Sequence, residues 1–111
     1  MGYRLEIYDI NKKYLCCGGK LYGYVDDMEK LKSLKWLRKH GKTNVDEDDF
    51  GVEWWEYDGE NEQILTKSEF KEFIELYIDD KKKFGYYHQL GENLDEYKDA
   101  LELDQVIINW G

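Results

Sequence analysis

From Tyr3 to Ile10 apolar and polar positions alternate, with Tyr3, Leu5 and Ile7 set against Arg4, Glu6 and Tyr8. That period of two predicts a β-strand. Asn11-Lys12 predicts a turn, and Tyr14 to Val25 a returning strand. On this second strand Leu15, Cys17, Leu21 and Val25 are expected on one side and Tyr22 and Tyr24 on the other. Gly18-Gly19 interrupts it and marks a bulge or bend. The period then changes. Asp26 or Asp27 is positioned to cap a helix running to about His40. Met28, Leu31, Leu34 and Leu37 face inward on it, with Trp36 flanking. Gly41 and the basic run Arg38, Lys39 and His40 suit its C-terminal end.

Alternation returns at Phe50 to Tyr57, which predicts a third strand. Asp58-Gly59-Glu60-Asn61 supplies a turn, and Gln63 to Leu65 a short return strand. Thr66 with Glu69 reads as a capping box, and Leu65 can pack on Phe70 as a hydrophobic staple. Phe70, Phe73, Ile74, Tyr77 and Ile78 follow at helical spacing, with Phe84 near the end. Lys81, Lys82 and Lys83 complement the helix dipole, and Gly85 ends the helix. Leu94, Tyr97 and Leu101 predict a short third helix. Val106, Ile108 and Trp110 predict a final strand that docks inside the fold. The expected class is α+β: one domain over residues 1–111, with an antiparallel sheet of four to five strands and two main helices plus a short third packed against it.

Composition narrows the function classes. The 111 residues are 41% hydrophobic and 16% aromatic, which suits a globular domain with one modest core. No apolar run approaches the ~20 residues of a membrane span, and the N-terminal residues lack a signal peptide's apolar stretch, so a cytoplasmic location is expected. Proline is absent and Lys far outnumbers Arg. Such a bias follows from AT-rich coding, which points to a low-GC bacterium or one of its phages. Cys16 and Cys17 are adjacent, with neither a disulfide framework nor zinc spacing, and read as small apolar strand residues.

Charge is divided along the chain. Residues 1–42 hold ten Lys or Arg against five acids; residues 43–111 hold six against twenty, for a net charge of −9. The acids concentrate between Asn44 and Glu62, a stretch with nine carboxylates, no base, and Phe50, Trp54, Trp55 and Tyr57. Asp46 to Asp49 is expected to be a loop. In the strand that follows, Phe50, Val52 and Trp54 are assigned to the core and Glu53, Trp55 and Tyr57 to the outer face. Alternate strand residues lie ~6.6 Å apart, similar to successive phosphates, so carboxylates at that spacing can imitate nucleic acid towards a basic protein. The candidate partner-binding residues are Asp46, Glu47, Asp48, Asp49, Glu53, Trp55, Glu56 and Tyr57.

Other chemistry is weaker. Two His (His40, His88) and two Ser (Ser33, Ser68) form no recognisable catalytic constellation, and a non-enzymatic role without cofactor or metal is expected. Asp58, Glu60, Glu62 and Glu69 occupy positions 1, 3, 5 and 12 of a calcium loop, but Gln63 stands where Gly is required. The basic helix, with Lys30, Lys32, Lys35, Arg38, Lys39 and Lys42, carries no nucleic-acid-binding motif. The net charge opposes direct nucleic-acid binding.

Gly2-Tyr3-Arg4-Leu5-Glu6-Ile7-Tyr8, Gly19-Lys20-Leu21-Tyr22-Gly23-Tyr24 and Leu65-Thr66-Lys67-Ser68-Glu69-Phe70 resemble small proteins of Gram-positive phages and prophages. The resemblance implies an accessory protein. Such proteins include inhibitors of host defence, among them anti-CRISPR proteins, several of which are small and acidic. The expected partner is therefore a basic protein of the host, or a basic toxin nuclease if the chain is an immunity protein. The alternative is a phage structural or assembly component, as a homo-oligomer.

Overall fold

The computed structural model describes residues 2–22, 31–40, 45–47, 53–55, 61–84 and 91–110. Strands β1 (Gly2–Tyr8) and β2 (Tyr14–Tyr22) form the first hairpin. Asp9 closes it: its Oδ1 accepts from the Asn11 and Lys13 amides, both at 2.9 Å. Lys12 takes a φ of +65° to complete the turn, a conformation that costs a side-chain-bearing residue about 1 kcal/mol.

The hairpin is bulged twice. Leu5 pairs with Gly19 but Glu6 with Cys17, and Ile7 pairs with Cys16 but Tyr8 with Tyr14. Gly18 and Leu15 are the extra residues. The bulge expected at Gly18-Gly19 is present. It corrects the expected alternation: with Gly18 inserted, Cys16, not Cys17, stands opposite Ile7 on the core side, and the second bulge, at Leu15, reverses the pattern again so that Tyr14 pairs with Tyr8. Cys16 packs against the core, and its burial pushes the thiol up to about 11. Cys17 pairs with Glu6 on the opposite face, where its Sγ accepts from Arg4 Nε and the Gly19 amide, both at 3.3 Å.

The last strand, β6 (Gln105–Trp110), lies between β1 and strand β5 (Asn61–Thr66), so the four-stranded sheet has the order β2-β1-β6-β5 with every pair antiparallel. This is the expected α+β class, and β6 holds the interior position foreseen for it. Strands β3 (Val45–Glu47) and β4 (Glu53–Trp55) form a separate two-stranded sheet. The strand expected over Phe50 to Tyr57 is thus not part of the main sheet.

Helix α1 spans Lys32–Lys39 and α2 spans Lys67–Phe84. The capping box of α2 is present: Thr66 N donates to Glu69 Oε1 at 2.9 Å, and Glu69 N donates to Thr66 Oγ1 at 3.3 Å. Phe70, Phe73, Ile74, Tyr77 and Ile78 are buried on α2, as their spacing requires. They meet Leu5, Ile7, Leu65, Val106 and Ile108 of the sheet and Leu31, Leu34 and Leu37 of α1 in one core. A 3₁₀ turn, Leu94–Tyr97, runs into the short helix α3, Lys98–Leu101. The expected third helix is present, and Tyr97 is its buried anchor.

Lys81, Lys82 and Lys83 stand in the last turn of α2, as expected, and Lys81 is in addition fully buried. It falls at helical spacing after Phe70, Ile74 and Tyr77, so it lies on the core face. Burial lowers its pKa, while Glu92, Cys17 and Glu96 pull the other way. Asp80 is also buried, and it caps α1 from outside that helix. Its carboxylate accepts from Lys32 N (2.9 Å), Ser33 N (2.8 Å) and Ser33 Oγ (2.5 Å). The cap expected from Asp26 or Asp27 lies outside the described residues; the helix described begins at Lys32, where the long-range cap satisfies its first free amides.

Buried tyrosines fix the loops to this frame. Tyr77 donates its hydroxyl to Gly18 O at 2.8 Å and Gly19 O at 3.2 Å. Tyr97 donates to Gly91 O at 2.7 Å. Gly91 has a φ of +83°, and a Cβ there would stand 2.2 Å from Gly18 O, so only glycine fits.

Candidate protein-binding surface

The ladder of β3 and β4 places Val45 opposite Trp55, Asp46 opposite Trp54 and Glu47 opposite Glu53. Four of the eight candidate partner residues are therefore brought together: Asp46 and Glu47 on one strand, Glu53 and Trp55 on the other. This corrects the expectation of a loop over Asp46 to Asp49, since Val45–Glu47 is a strand. Dense acid disfavours a strand by propensity, but pairing with an aromatic partner strand overrides it. Asp48, Asp49, Glu56 and Tyr57 lie outside the described residues. The core role expected of Phe50, Val52 and Trp54, and the outer-face role expected of Trp55, likewise lie outside the described side chains.

The register has an electrostatic consequence. Like charges directly across an antiparallel pair destabilise it, by a few tenths to about 1 kcal/mol. Glu47 and Glu53 stand directly opposite in the register, and Asp46 and Asp48 flank Glu47 in sequence.

A second acidic surface escaped sequence reasoning. Glu75, Asp79 and Glu92 edge a cleft of about 720 Å³ between α2 and the segment before the 3₁₀ turn, with Ile78, Lys82, Asn93 and Leu94 completing its lining. Its signal was Glu72, Glu75 and Asp79 at helical spacing on the polar side of α2. These acids are partly engaged. Glu72 Oε2 accepts from Trp36 Nε1 at 3.1 Å, and Asp79 Oδ2 lies 3.9 Å from Lys32 Nζ.

The other candidate groups are held in structural roles. His40 stacks on Trp36 with ring centroids 4.0 Å apart, and its Nδ1 lies 2.8 Å from the Trp36 carbonyl. Ser33 is buried against Asp80. Of the calcium-loop residues, Glu62 sits in β5, 3.6 Å from Lys12 Nζ, and Glu69 closes the capping box; Asp58 and Glu60 lie outside the described residues, as does His88. Among the described residues no three His, Cys, Asp or Glu side chains converge as a metal site, and no helix is long and apolar enough to cross a membrane.

Comparison with protein-family models, with curated proteins and with solved structures finds no match to this chain.

Proposed function

We propose that the protein is a non-enzymatic interaction protein, a phage or prophage accessory factor whose acidic ribbon occupies a basic, nucleic-acid-handling surface of a partner protein. The observation that supports this reading is the opposition of Glu47 and Glu53 in the β3–β4 ladder. The free ribbon carries a repulsion that a cationic surface would relieve, so binding energy and local stability rise together. Asp46 and Trp55 belong to the same ladder, and Asp48, Asp49, Glu56 and Tyr57 flank it in sequence. Carboxylates supply steering and register, and the aromatic residues supply contact area. An inhibitor of the anti-CRISPR kind and an immunity protein against a basic nuclease would use the same physics, in the cytoplasm of the host.

Affinity capture from the lysate of a low-GC Gram-positive bacterium tests the proposal. A basic protein should be retained by the wild type. Retention should fall at high salt and after Asp46, Asp48, Glu53 and Glu56 are changed to Ser or Gln. Capture of no basic protein, or capture indifferent to those changes, rejects it.

A further inference from the structure

We draw no further inference here: the strongest candidate, the cleft between α2 and the segment before the 3₁₀ turn that Glu75, Asp79 and Glu92 edge, is a cluster of acidic side chains with no second observation that points to a ligand, so nothing in the structure shows what would occupy it.

Discussion

Removing the Asp80 carboxylate would leave the Lys32 and Ser33 amides and the Ser33 hydroxyl facing one another with no acceptor in a buried site. Asp80→Ala should therefore cost about 2–4 kcal/mol in urea unfolding, more than an exposed helix cap. Its titration has a definite sign. Burial raises the Asp80 pKa above the ordinary 3.8, and the bonds from Ser33 and Lys32 only partly oppose this. The folded state then holds the proton more tightly than the unfolded state. Stability contributed by the protonated group is lost as pH climbs from 3.8 through the raised folded value. Unfolding midpoints of wild type and Asp80→Asn, compared across that window, should show the wild type losing ground as pH rises. Gly18 makes a second test. A Cβ there would stand 2.8 Å from Tyr77 Cε1 and 3.0 Å from Leu5 Cδ2, so Gly18→Ala should cost about 1–3 kcal/mol by overpacking. Both roles depend on residues far away in sequence, and neither was visible in local pattern. Lys81 differs, because its spacing after Phe70, Ile74 and Tyr77 placed it on the core face; its charge, read alone, pointed to solvent.

The elements themselves were largely legible. The α2 N-terminus follows from Thr66 and Glu69, and its buried face from Phe70, Phe73, Ile74, Tyr77 and Ile78. Thr66→Ala should cost about 1 kcal/mol in thermal or urea unfolding, and the Thr66→Ala, Glu69→Ala pair less than the sum of its parts, because both act through one reciprocal box. A second box went unread although its signal was present. Asn93 accepts from Asp95 N at 3.2 Å, and Glu96 Oε2 accepts from Asn93 N at 3.0 Å, so Asn93 and Glu96 start the 3₁₀ turn. Strand pairing was less accessible. That β6 would separate β1 from β5, and that Leu15 would be bulged, depends on long-range register with no local marker. Val45–Glu47 was hidden by its own charge. The ribbon offers its own test. Glu53→Lys replaces a like-charged cross-strand pair with an opposite one and should slow amide exchange in Val45–Glu47 severalfold, while weakening partner capture.

For the whole molecule, charge is arranged differently in the two sheets. At the four-stranded sheet Arg4 pairs with Glu6 and Lys12 with Glu62, whereas in the β3–β4 ribbon Glu47 stands opposite Glu53 in the register. The candidate site was legible as composition: nine carboxylates and four rings between Asn44 and Glu62. Its geometry was not, because which acids face each other is decided by the register of two three-residue strands. The most direct test of the central proposal is quantitative capture from a low-GC Gram-positive lysate, with wild type beside the variant neutralised at Asp46, Asp48, Glu53 and Glu56. The proposal predicts a basic, nucleic-acid-handling protein on the wild type, released by about 500 mM salt and absent from the variant. Equal recovery on both, or no basic protein on either, would contradict it.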